Sequence, residues 1–165
     1  MSRKSTVATM FGMVLVFVMG SSRAAYAAPP TDACSLLTPA QVSAVLGVPV
    51  AGKALGPKAC MWVQTGVKPG SPGRRVDVGI LIMQGYTRAY AIAQMPNAPT
   101  SATRVSGLGD DAYYFAMASS QAMELRVKKG TVAFDIWVHH SGTPFTTDQI
   151  KAKEKALAQE VLAKL

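Results

Sequence analysis

The chain has 165 residues, 49% of them hydrophobic and 16% charged, with a formal net charge of +8, two cysteines and two histidines. That apolar content excludes an intrinsically disordered chain, and two cysteines are too few for a miniprotein built on disulfides. The length suits one domain with its own core, and the scattered basic residues argue against a nucleic-acid surface.

Residues 1–27 read as a cleavable leader. Arg3 and Lys4 give a basic start, Thr6 to Met19 an uncharged apolar stretch, and Ala25-Tyr26-Ala27 a small-residue exit. The apolar stretch is shorter than the roughly twenty residues that span a bilayer. Cleavage before Ala28 is expected to leave a single domain, residues 28–165, that is periplasmic or secreted and has no stable membrane insertion. Arg3, Lys4 and Arg23 would depart with the leader, so +8 overstates the basicity of the remainder.

Outside the cytoplasm no glutathione pool keeps thiols reduced, so Cys34 and Cys60 are expected to form a disulfide. It would tie the first helix to the first strand, and closing the loop between them is worth roughly 3 to 4 kcal/mol in the chain-entropy picture. Cys-x-x-Cys spacing is absent and no histidine lies near either cysteine in sequence, which disfavours redox or metal use. Cys34 follows Pro29-Pro30-Thr31-Asp32-Ala33 and not the apolar core of the leader, so it is not placed for lipidation.

Along the chain, Leu37-Thr38-Pro39-Ala40-Gln41-Val42 predicts a helix with a capping box (Thr38, Gln41), proline at its first turn and an end at Leu46-Gly47. Ala51 to Pro57 reads as a loop, Ala59 to Thr65 as a strand carrying Cys60 and Trp62, and Gly66 to Gly73 as a polar turn region. Arg75 to Met83 is a strand with Val76, Val78, Ile80 and Ile82 on one side. Tyr86 to Met95 reads as a short helix ended by Pro96, followed by a linker.

Gly107-Leu108-Gly109-Asp110-Asp111 suits a turn feeding a strand from Ala112 to Ala116. Ala122 to Lys128 and Thr131 to His139 form a hairpin, in which Met123, Leu125 and Val127 alternate with Glu124, Arg126 and Lys128 as in a sheet with one wet face. A second capping box (Thr146, Gln149) opens a helix running to the end of the chain, with Ile150, Leu157, Val161 and Leu165 on one stripe and Lys151, Lys153 and Lys155 towards solvent. The expected fold is α+β: a single antiparallel sheet of about five strands with helices packed on one face, in the order α-β-β-α-β-β-β-α.

Candidate chemistry is sparse. His139 and His140 are adjacent on a strand and point to opposite faces, so one ion is not readily clasped by both, and a zinc site would need Asp135 or Asp110 as well. Asp110 and Asp111 suit backbone hydrogen bonding in a turn better than paired acid–base work or calcium binding. Gly107-Leu108-Gly109 falls short of a dinucleotide fingerprint because it precedes a strand and lacks a third glycine. No catalytic residue and no cofactor is assigned. Tyr113, Tyr114, Trp137, His139 and His140 are the candidate binding surface, since one of the two tyrosines must face away from the core.

Cys34-Ser35-Leu36-Leu37-Thr38, Leu46-Gly47, Cys60 before an aromatic, and Gly107-Leu108-Gly109-Asp110 with Ala112-Tyr113 together carry a resemblance. The chain resembles small exported bacterial proteins and lipoproteins of unknown function, mainly actinobacterial, that open with the same helix. That resemblance implies an envelope location and a helix-on-sheet fold with the disulfide, and no activity. The expected function is a non-enzymatic binding or envelope-interaction module for an extracellular ligand or protein. A hydrolase using His139 or His140 with an acidic partner is the alternative, and a structural or inhibitor role the third.

Overall fold

The computed structural model describes residues 30–67, 75–84, 102–116, 123–142 and 145–165. A 3-10 turn at Ala33–Ser35 leads into helix α1 (Pro39–Leu46). Seven strands follow: β1 (Val50–Gly56), β2 (Ala59–Gln64), β3 (Arg75–Gln84), β4 (Thr103–Arg104), β5 (Asp111–Ala116), β6 (Met123–Lys129) and β7 (Val132–Ser141). Helix α2 (Thr147–Leu162) closes the chain. The strands form one antiparallel sheet in the order β1-β2-β3-β7-β6-β5-β4.

Strand periodicity decides what the sheet buries. Val76, Val78, Ile80 and Ile82 of β3 stand beside Phe134, Ile136 and Val138 of β7 on one face, with Cys60 and Trp62 of β2, Leu125 and Val127 of β6, and Ala112 and Tyr114 of β5. Val42 and Leu46 of α1 and Ile150, Leu157 and Val161 of α2 pack on that same face, α2 over β6 and β7 and α1 against β1 and α2. The Cys34–Cys60 disulfide (Cα–Cα 5.1 Å) joins the turn before α1 to β2, as expected from the sequence.

Both capping boxes are formed. Thr38 accepts from the Gln41 N–H while Gln41 Oε1 accepts from the Thr38 N–H at 2.9 Å, and Thr146 and Gln149 do the same for α2. Gly47, at φ 77°, takes the left-handed exit of α1. Lys153 is not a solvent-facing residue: its Nζ donates to the Val45 carbonyl at 2.7 Å and so caps the end of α1 from α2.

Three expectations change. The sheet has seven strands and not about five, because residues 51–57, expected to be a loop, form β1, and because Thr103–Arg104 adds a two-residue edge. β1 is rich in glycine and alanine and lacks alternation; its strand form comes from pairing with β2 across a tight turn. The element order among the described residues is therefore one helix, seven strands and one helix, while the expected helix Tyr86 to Met95 and the leader lie outside them. Finally, the second face of the β6–β7 hairpin is closed at its middle and not wet throughout, since Arg126 is 7% and Asp135 3% exposed.

Glu154 was hidden in the apolar stripe of α2, four residues after Ile150 and three before Leu157. Its side chain is fully buried, and Oε1 accepts the Val138 N–H at 3.1 Å, one residue past the last β6–β7 pair, Glu124 with Trp137. Glu154 thus takes a main-chain donor just past the paired residues of β6 and β7, but its Oε2 is enclosed with no hydrogen-bond partner. Burial pushes its pKa up to about 8 from an ordinary 4.5, opposed by the Val138 hydrogen bond. The folded state therefore holds this proton more tightly than the unfolded chain. Its stabilising effect is complete below pH 4.5 and is lost as pH rises through 8. Urea denaturation across that window should show stability falling by up to about 1.4 kcal/mol per pH unit, and Glu154→Gln should flatten the dependence and exceed the parent in stability at pH 9.

Candidate functional site

On the face opposite the helices, strand register lines side chains up in rows. One row runs Lys53, Met61, Gly79, Trp137, Glu124 and Phe115 from β1 to β5. The next runs Ala59, Leu81, Asp135, Arg126, Tyr113 and Arg104, and on the other side lie Ala51, Val63, Asp77 and His139. The rows divide by burial into a closed region and an open one.

The closed region centres on Arg126 and Asp135, directly opposite on β6 and β7. Arg126 Nε and Nη2 donate to Asp135 Oδ1 and Oδ2, both at 2.6 Å, and the guanidinium carbon lies 5.1 Å from the centre of the Phe115 ring. Tyr113, Phe115 and Ala133 are buried around them. Burial raises the Asp135 pKa and the Arg126 hydrogen bonds oppose it; burial likewise raises that of Glu124, with Asp135 adding and Arg126 opposing. Asp135, a candidate metal ligand on sequence, is engaged by Arg126, and Asp110 accepts the Gly130 N–H at 2.6 Å. Among the described residues no three His, Cys, Asp or Glu side chains gather to hold a metal ion.

The open region is at β2, β3 and the end of β7. Trp137 packs against Gly79, where any Cβ would overlap the indole, so the ring rests on main chain. His139 is exposed, its ring centre 6.3 Å from that of Trp137, and its Nδ1 is 3.8 Å from Asp77 Oδ2 across the strands. Leu81 is 36% exposed, and Met61, Val63, Asp77 and Trp137 are half-buried. The result is a partly apolar strip with a fixed aromatic and a polar rim.

The remaining candidate residues lie elsewhere. Tyr113 is on this same face but 2% exposed, its hydroxyl donating to Asp111 Oδ2 at 2.7 Å. Tyr114 points to the helices and donates to the Lys151 carbonyl at 2.6 Å; burial, then Glu154, push its pKa above the usual phenol range. His140 is also on the helix side, edge-on to Phe145 with ring centres 6.3 Å apart. Of the five candidates, then, Trp137 and His139 form a cluster. An open hollow of about 410 Å³ between α1 and α2 is lined by Val45, Phe145, Gln149, Ala152, Lys153 and Ala156. Lys153, at its rim, is held by the α1 carbonyls and sits 4.6 Å over the Phe145 ring.

Sequence reading missed Gly79 as the seat of Trp137 and Arg126 as the partner of Asp135. The second had a visible signal, since Arg126 and Asp135 are equidistant from the Gly130-Thr131 turn and must face each other in a regular hairpin.

Two substitutions separate the regions. Asp135→Ala leaves Arg126 buried without its carboxylate and should cost about 3 to 5 kcal/mol in urea denaturation, with the Arg126→Met/Asp135→Leu double variant losing less. Gly79→Ala should cost about 1 to 3 kcal/mol by lifting Trp137, and should shift the tryptophan emission to longer wavelength as the ring moves into water. No protein-family profile, curated protein or solved structure matched this chain.

Proposed function

We propose that this chain is an exported, non-enzymatic binding module whose ligand contacts the outer sheet face at Trp137. The observation that carries the reading is the seating of Trp137 on Gly79, beside exposed Leu81 and half-buried Met61 and Val63. An aromatic held by main chain is ordered before a ligand arrives, so binding there costs little side-chain entropy. Contiguous exposed apolar groups with a polar rim mark interaction sites, and His139 and Asp77 supply the hydrogen-bonding rim. The leader-like start, the disulfide and the resemblance to exported envelope proteins support an extracytoplasmic setting.

Among the described residues, the His139–Asp77 contact is the feature that favours a hydrolase. At 3.8 Å Asp77 Oδ2 is beyond hydrogen-bond distance of His139 Nδ1 and does not orient the imidazole as a base. The pair also stands on an open sheet face, with the His139 side chain 45% exposed, where water is not excluded from a reacting group.

The test is a thermal-shift panel of glycans, phospholipid vesicles and peptidoglycan fragments on oxidised protein expressed from the full chain. A ligand at about one hundred times its Kd stabilises by about 2.7 kcal/mol, a shift of several degrees. Trp137→Ala should abolish the shift while the ligand-free protein still melts cooperatively. Turnover of a chromogenic ester that is lost in His139→Ala would replace this reading with the hydrolase.

A further inference from the structure

We propose that β1 is a docking edge for an extended, acidic segment of a partner protein, which adds to the sheet as a further strand. The sheet has two edges of different kinds. At one end β4 is two residues long; at the other β1 is seven, and every residue from Ala51 to Gly56 is exposed. A long open edge is a template for another chain.

Hydrogen-bond parity shows which groups are on offer. Thr65 donates its N–H to the Pro49 carbonyl at 2.9 Å, which makes that pair a bonded one. In an antiparallel ladder bonded pairs alternate, so Ala51 with Val63 and Lys53 with Met61 bond inward, while the main-chain groups of Val50, Gly52 and Ala54 project from the sheet. The Val50 N–H is taken by Ser43 Oγ at 3.1 Å. Among the described residues none hydrogen-bonds to the outward N–H or C=O of Gly52 or Ala54. Their side chains are a hydrogen and a methyl group, so another backbone can approach closely.

The edge is also rigid. Cys60 on β2 is bonded to Cys34, the Ala33 N–H donates to the Pro57 carbonyl at 2.9 Å, and the Ile82 N–H to the Lys58 carbonyl at 2.8 Å. The hairpin is thus anchored at its turn and on both sides, and a partner would not have to order it.

Charge selects the occupant. No Asp or Glu occurs between Asp32 and Asp77, whereas Lys53 on β1 and Lys58 in the turn are both exposed. The charged side chains of β1 and its turn are both lysines. Two copies joined edge to edge about Lys53 would set that lysine against its like, which disfavours self-pairing. A segment with a carboxylate opposite Lys53 turns the same lysine into a contact. This edge is separate from the Trp137 surface: in the row Lys53, Met61, Gly79, Trp137, two strands lie between β1 and β7.

The probe is an acetylated peptide in which glutamate alternates with threonine and valine, compared with its lysine counterpart, on oxidised protein expressed from the full chain. The glutamate peptide should bind and slow amide hydrogen exchange at Gly52 and Ala54 by NMR. Ala54→Pro removes an outward N–H and no ladder bond, and should weaken binding about tenfold. Lys53→Glu, a surface change that keeps the fold, should transfer the preference to the lysine peptide, and Trp137→Ala should leave binding unchanged. The proposal is overturned by equal binding of the two peptides to the parent protein, by protection absent at Gly52 and Ala54, or by protection that grows with protein concentration alone.

Discussion

The pairing of β3 with β7 is the constraint on which the rest of the molecule rests. Ten consecutive residues of each strand are in register, from Arg75 with Ser141 to Gln84 with Val132. Because side chains alternate at every residue, this single register assigns Val78, Ile80, Ile136 and Val138 to the helix side and Asp77, Gly79, Trp137 and His139 to the other. A slip of β3 by one position would turn Asp77 into the helix-side core and expose Val76, Val78, Ile80 and Ile82. Everything outward from this pair, β2 and β1 on one side and β6 to β4 on the other, inherits its parity.

That parity also explains where charge is tolerated. Arg126 and Asp135 are buried because they fall directly opposite one another and can satisfy each other in a bidentate pair. Glu154 lies in the other layer, where it accepts the Val138 N–H just past the last β6–β7 pair. Each buried carboxylate stands where a donor is fixed by sheet geometry, although Glu154 has a second oxygen with no partner and is shifted accordingly. The open end of the outer face carries no buried charge pair, and it is there that Trp137 rests on main chain.

Much of the local structure was legible in sequence because its causes are local. Thr38 with Gln41 and Thr146 with Gln149 announce helix starts through bonds made within four residues, and the alternating apolar residues of 75–83 and 131–139 announce strands. β1 was not legible, because Ala51-Gly52-Lys53-Ala54 has neither periodicity nor β-branched residues, and only its partner β2 makes it a strand. Burial of Arg126 was not legible either: an alternating Glu-Arg-Lys face reads as wet unless the register to Asp135 is known. Of the candidate surface, Trp137 and His139 were identifiable as strand residues two apart, which must share a face; that Tyr113 would be enclosed on that face was not.

By itself, then, the sequence determined the fold class, both helix starts, the central strands and the Cys34–Cys60 link, since each depends on short-range hydrogen bonding, on alternation, or on the only two thiols present. Tertiary structure alone decided the number of strands, the seating of Trp137 on Gly79, the burial of Arg126 and Asp135, and the open parity of β1. These are relations between residues far apart in the chain, and a residue's own type carries no information about which neighbour the register will set beside it.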